Sequence, residues 1–191
     1  VWILLQGLIV LETSRALNTF LAGVEQRAFR MANYATRNPD DACDIVQDAM
    51  LRLADRYADK AQEEWAGLFF RILQRRILDW HRRQKLRRAI FNMLPLKRGE
   101  ADDNAIAAFA DEHSHGPVET LLNESLKQRL EQAIGELPVR QQQVYLLREL
   151  QGFDVRQTAE IMQCSQGSVK THFSRAREKL RSRLEDLAPN E

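Results

Sequence analysis

Six side chains near the C-terminus, Lys170, Thr171, Ser174, Arg175, Arg177 and Lys179, face out of or flank a helix-spaced apolar stripe of Val169, Phe173, Ala176 and Leu180. Ammonium, guanidinium and hydroxyl groups on one helix face bond phosphate oxygens and base edges, so the chemistry offered is nucleic-acid recognition. Just before this stripe, Val155, Ala159 and Met162 recur at helical spacing, and a polar run from Gln163 to Gly167 separates the two segments. Gly167 is expected to supply a positive φ in that turn, and Ser165 and Ser168 are the candidate helix N-caps. Two short helices joined this way read as a helix-turn-helix. The rival reading is a plain helical hairpin with a solvated basic face.

A second cationic cluster lies earlier in the chain. Arg71, Arg75, Arg76, Arg82, Arg83, Lys85, Arg87 and Arg88 stand within one stretch that holds a single acid, Asp79. From Gly99 to Leu126 the balance reverses: Glu100, Asp102, Asp103, Asp111, Glu112, Glu119 and Glu124 face no Lys or Arg. The net charge of +1 therefore conceals a basic helix followed by an acidic strip. With 29% charged residues and only eight glycines and five prolines, the composition favours a helix-rich soluble protein.

The elements that must carry these groups follow from periodicity. Thr13 and Ser14 are expected to cap a helix to about Tyr34, burying Leu17, Phe20, Leu21, Val24, Ala28 and Met31. After Asn38-Pro39 a second helix is expected from Asp40 or Asp41 to about Tyr57. It buries Ala42, Ile45, Val46, Ala49, Met50 and Leu53 and exposes the mostly acidic set Asp44, Gln47, Asp48, Arg52 and Asp55. A third is expected from about Glu64 to Arg88, with Trp65, Leu68, Phe69, Ile72, Leu73 and Ile77 inward. Residues 94–117 lose periodicity and gain Pro95, Gly99, Gly116 and Pro117, as a linker does. Helices over Val118–Ile134 and Pro138–Leu150, a stop at Gly152 and the helix-turn-helix complete the chain. The expected fold class is all-α: two small helical domains, residues 13–93 and 118–191, joined by the acidic linker, with 1–12 an apolar N-terminal extension. Val1 to Leu11 is about half the ~20 residues a membrane span needs, so no membrane insertion is expected. Cys43 and Cys164 lie in no metal-like spacing and suit a reducing cytoplasm; neither a metal nor a cofactor is expected.

Taken together, DACDIVQDAMLRL, WAGLFFRILQRRILDWHRRQKLRR, the acidic tether, and ELPVRQQQVYLLRELQGFDVRQTAEIM with its helix-turn-helix resemble one bacterial family in order and spacing. The chain resembles a sigma-70 family factor of the extracytoplasmic-function (ECF) type, which keeps only sigma regions 2 and 4. The resemblance spans Leu17 to about Leu187. It implies a transcription initiation factor that brings core RNA polymerase to promoter DNA, not an enzyme. By position, Asp44, Gln47, Asp48 and Arg52 would dock on the coiled coil of the polymerase's largest subunit, with the flap as a further contact. Arg75, Arg76, Arg82, Arg83 and Lys85 would follow phosphates at the minus-ten element, with Trp80 as the aromatic for unstacked bases. Lys170, Thr171, Ser174 and Arg175 would enter the major groove at the minus-thirty-five element, with Arg177 and Lys179 nearer phosphates. An anti-sigma partner is implied as well, with the factor itself expected in the cytoplasm and open to sequestration at the inner membrane by that partner. Two departures stand out: Arg75 replaces the Asn of many relatives, and Gln163 stands where helix-turn-helix turns often carry Gly.

Two other functions compete. A stand-alone helix-turn-helix regulator would need neither the acidic second helix nor the basic third. A metal-dependent nuclease would draw on Asp102, Asp103, Glu112, His113 and His115, but a flexible polar linker offers no rigid ligand shell.

Overall fold

The computed structural model describes the backbone of residues 2–93 and 128–185 and the side chains of 15–90 and 128–184. Among the described residues there are helices and no strand, as expected of an all-α chain. They fall into two compact units.

The first unit is built on α1 (Trp2–Thr36), α2 (Pro39–Tyr57) and α3 (Gln62–Met93), each packed against the other two. Helix α1 does not begin at Thr13 or Ser14 but runs through both. Adding residues to an existing helix avoids a new nucleation cost, and residues 2–12 contain no proline to stop it. It ends at Arg37, whose φ of 54° is left-handed, and the Arg37 N–H donates to the Asn33 carbonyl at 2.8 Å. Asn38 then caps α2, its side-chain oxygen accepting from the N–H groups of Asp40 (2.9 Å) and Asp41 (3.2 Å). Pro39 occupies the first helical turn, where its missing N–H costs nothing.

The core of this unit is aromatic. Trp65, Phe69, Phe70, Leu73, Gln74 and Ile77 of α3 are buried, and Phe20 of α1 meets Trp65 and Phe69 at 5.8 and 6.2 Å between ring centroids. Phe70 and Gln74 occupy core positions, whereas Leu68 and Ile72, expected inside, are only partly covered. The stripe follows the largest rings, which remove more apolar surface from water than the branched aliphatics. Trp65 Nε1 donates to the Tyr57 carbonyl at 3.2 Å, pinning the α2–α3 turn.

The second unit holds α4 (128–135), α5 (Val139–Glu149), most of α6 (Val155–Met162) and α7 (Gln166–Glu185). Helix α5 packs on α7. Two buried glutamines stitch the interior: Gln142 Nε2 donates to the Ile134 carbonyl and Gln143 Nε2 to Gln142 Oε1, both at 3.0 Å. Glu136 ion-pairs with Arg183 of α7. Gly152, φ 72°, ends the α5 turn as expected, since that conformation costs other residues about 1 kcal/mol. The segment 118–127 expected to open the next helix lies outside the described residues, as do the linker and its acidic groups.

Candidate nucleic-acid interface

Helix α6 begins with a reciprocal cap that periodicity alone did not reveal. Gln157 N–H donates to Asp154 Oδ1 at 2.7 Å while Asp154 N–H donates to Gln157 Oε1 at 2.9 Å. The spacing Asp-x-x-Gln carries this signal in the sequence, as a capping box does. Thr158 adds a hydroxyl bond to the Asp154 carbonyl at 2.7 Å.

The turn between α6 and α7 differs from expectation in one respect. Its left-handed residue is Gln163, φ 51°, and not Gly167, which lies in the first turn of α7. Chain geometry after α6 demands the reversal at that position, with Cys164 N–H closing on the Ala159 carbonyl at 3.0 Å. Ser165 is the N-cap: its Oγ accepts from Ser168 N–H at 3.1 Å and contacts Ser168 Oγ at 2.9 Å.

Helix α7 buries Val169, Ala176 and Leu180 and exposes Lys170, Thr171, Ser174, Arg175, Arg177 and Lys179. Thr171 donates its hydroxyl to the Gly167 carbonyl at 3.0 Å, leaving its oxygen free to accept. Phe173 departs from the expected buried stripe. It is partly exposed, stacked on Tyr145 of α5 at 6.2 Å with an interplanar angle of 23°, with the guanidinium carbons of Arg148 and Arg177 5.4 and 5.9 Å from its centroid. Beside it runs a groove of about 690 Å³ lined by Arg148, Val155, Val169, Lys170, Phe173, Ser174, Arg177, Glu178 and Arg181. His172 is partly buried, and burial, with Arg140 and Arg175 nearby, lowers its pKa from the usual 6.5.

On α3, Arg71, Arg75, Arg82, Arg83 and Lys85 are exposed. Arg76 is not on this open face. It ion-pairs with Asp48 of α2, its side chain only 17% exposed. Trp80 is also half-covered, its ring edge-to-face with His81 at 4.9 Å. Arg82 reaches back to Asp79 at 3.3 Å.

On α2, Asp44 and Gln47 stand fully outward, whereas Asp48 is shared between Arg76 and Arg52, the latter at 3.3 Å. Asp48 and Arg76, expected on different working faces, are paired by the packing of α2 on α3. Leu51, 69% exposed, interrupts the polar face and is an apolar contact the charge pattern did not bring out. Among the described residues no cluster of His, Cys, Asp or Glu is placed to hold a metal, and no helix is long and apolar enough to cross a membrane. The nuclease candidates Asp102, Asp103, Glu112, His113 and His115 lie outside the described residues.

The chain resembles known proteins along most of its length. The family model described as "Sigma-70 region 2" matches residues 20–87, and "Sigma-70, region 4" matches 127–180. The chain is 29% identical to the RNA polymerase sigma factor SigV of Bacillus subtilis over 181 residues, covering 93% of this chain and 98% of that protein. It is 30% identical to the ECF sigma factor SigM of Mycobacterium tuberculosis over 156 residues, covering 79% and 68%. The fold resembles the sigma factor RpoE of Bartonella quintana, solved with the anti-sigma factor NepR (TM-score 0.65, 19% identity, 87% of this chain and 97% of that one). It also resembles CnrH, solved with the cytosolic domain of CnrY (TM-score 0.60, 17% identity, covering 94% and 96%). A region 2 domain has no place in a stand-alone helix-turn-helix regulator, so that reading is not favoured. With both regions present in order and curated relatives aligned along most of its length, the chain belongs to the sigma-70 family, in its ECF group, and serves promoter-specific transcription initiation by RNA polymerase.

Proposed function

We propose that the work of initiation is divided among three faces. The outer face of α7, through Lys170, Thr171, Ser174 and Arg175, reads base edges of the upstream minus-thirty-five element, and Arg177 and Lys179 grip the flanking phosphates. The outer face of α3, through Arg75, Arg82, Arg83 and Lys85, with Arg71 in line, tracks the backbone of the minus-ten element. Trp80 serves unstacked bases there only by its uncovered part. Arg76 instead holds α2 and α3 together through Asp48. The outer face of α2, through Asp44 and Gln47 with Leu51 between, docks on core polymerase; a carboxylate-bearing helix suits a basic partner. Asp48 and Arg52 border that face.

The observation that carries the reading is the capped α7, whose polar outer face is exposed opposite a fully buried Val169, Ala176 and Leu180. A good bidentate base contact is worth about 1–3 kcal/mol of discrimination, so one face of this kind is enough to select a promoter element. The anti-sigma partner belongs to the same proposal: one fold neighbour was solved with an anti-sigma factor bound, and a docking face that polymerase needs is a face an inhibitor can cover.

In vitro transcription from genomic fragments, with core polymerase and the full chain, tests the division. Lys170→Ala and Arg175→Ala are expected to relax or abolish start-site choice while core binding persists. Asp44→Arg is expected to lose core binding instead. Loss of core binding by the α7 variants would show that the faces are misassigned.

A further inference from the structure

Phe173 is on the recognition helix yet neither joins the buried stripe nor points freely outward. Its ring stacks on Tyr145 and also meets two guanidinium groups, Arg148 from the last turn of α5 and Arg177 from α7. Guanidinium over an aromatic face is attracted by the ring's quadrupole, which restrains a side chain that otherwise samples many rotamers. Arg148 is restrained a second time, its Nη1 donating to the Phe153 carbonyl at 2.7 Å. Both arginines line the groove already described, together with Lys170 and Arg181 against one acid, Glu178.

Lys170, Ser174, Arg177 and Arg181 follow one another at intervals of four, three and four residues, so they form a single edge of α7. That edge runs about 16 Å at 1.5 Å per residue. A line of cations this long matches a chain of phosphates better than one small anion. Lys170 and Ser174 open this edge beside the base-reading Thr171 and Arg175, which leaves its later part, Arg177 and Arg181, for the backbone rather than for bases.

We propose that Phe173 is a positioning residue that sets Arg148 and Arg177 as a two-guanidinium clamp on one DNA strand, and that Arg148, outside the helix-turn-helix, is a phosphate contact. The proposal rests on the reading of α7 as the DNA-reading helix. The ring does not touch DNA; it fixes where two donors stand before DNA arrives. The clamp grips every sequence alike, so it adds affinity and register rather than promoter choice.

Fluorescence anisotropy of the full chain on a 30-base-pair duplex of mixed sequence, between about 50 and 200 mM KCl, reads the clamp directly through its salt dependence. Arg148→Gln is expected to weaken binding and to reduce the log–log salt slope by about 0.9, the value for one phosphate contact. Phe173→Leu is expected to weaken binding about 3- to 10-fold, the range of an exposed to partly desolvated cation–π contact, and Phe173→Tyr to restore it. On an Arg148→Gln/Arg177→Gln background, Phe173→Leu is expected to have no further effect.

Lys170→Gln is measured in parallel. If it weakens binding while Arg148→Gln leaves the slope unchanged and Phe173→Leu stays within about twofold, the clamp is overturned and the reading of α7 stands. If all three leave binding unchanged, both fail. An equal loss from Phe173→Leu on the doubly substituted background shows that the ring acts through packing and overturns the positioning role. Thermal melts of each variant show whether the unit remains folded, and Arg148→Gln, at a partly exposed side chain, decides the question if Phe173→Leu does not fold.

Discussion

Replacing Asp48 by alanine should damage the first unit far more than its place on an outward helix face suggests. Asp48 is 44% exposed and binds two cations, Arg52 through an i, i+4 pair and Arg76 across from α3. The Arg52 pair is half-solvated on both sides and contributes about 0.3–0.5 kcal/mol. Arg76 is different. Its side chain is 17% exposed and its Nη2 is already buried without a partner. Removing one partner of a fully buried pair costs about 3–5 kcal/mol, and an exposed pair contributes under about 1. A pair buried on one side and half-open on the other falls between, so the total is about 2 kcal/mol. For a unit of roughly 90 residues this lowers Tm by about 8–15 °C. Circular dichroism melts of the full chain, supported by urea titration, measure it. Asp48→Ala/Arg76→Met should recover most of the loss, because an apolar side chain leaves no stranded guanidinium. Arg52→Ala should cost under about 0.5 kcal/mol. If Asp48→Ala melts within about 2 °C of the wild type, or if the double variant is no better than the single, the pairing of α2 to α3 does not have the energetic role assigned to it. The same reasoning makes Asp44 and Gln47 the better probes of polymerase docking, since a change at Asp48 alters the fold as well.

Gln163→Gly should stabilise the second unit by about 1 kcal/mol because Gln163 is held at φ 51°, and Gly152→Ala at φ 72° should destabilise it by a similar amount; urea midpoints give both. Ser165→Ala should cost about 1 kcal/mol through loss of the α7 cap, with Ser165→Asp sparing most of it, measured the same way. Stability should also fall on acidification. His81 and His172 are both held below their usual 6.5, in each case chiefly by burial. The unfolded chain therefore binds these protons first, so their contribution is fully present above about 6.5 and declines as pH falls toward the lower folded values. Urea titrations at pH 7.5 and 5.5 should show the decline, and it should shrink in His81→Asn/His172→Asn; an unchanged pH dependence in that variant would remove the histidines from the explanation.

Residue order determined a large part of this protein by itself. The helical repeat of Val169, Ala176 and Leu180 fixed which side of α7 is covered, and Lys170, Thr171, Ser174 and Arg175 are exposed where that repeat put them. Asn38-Pro39 marked the start of α2 and Gly152 the end of the α5 turn, because these residues act on the backbone beside them. The Asp154–Gln157 box was equally legible, since both partners lie within one turn. Tertiary structure decided what local spacing does not contain. Asp48 and Arg76 are 28 positions apart in the sequence, and their pairing follows only from the packing of α2 on α3. Phe173 reads as core by periodicity, yet it sits at the edge of the contact between α5 and α7, where Tyr145 covers one face and two arginines draw to the ring. Periodicity assigns a residue to a side of its own helix; whether another helix covers that side, and which charge waits there, depends on segments far along the chain.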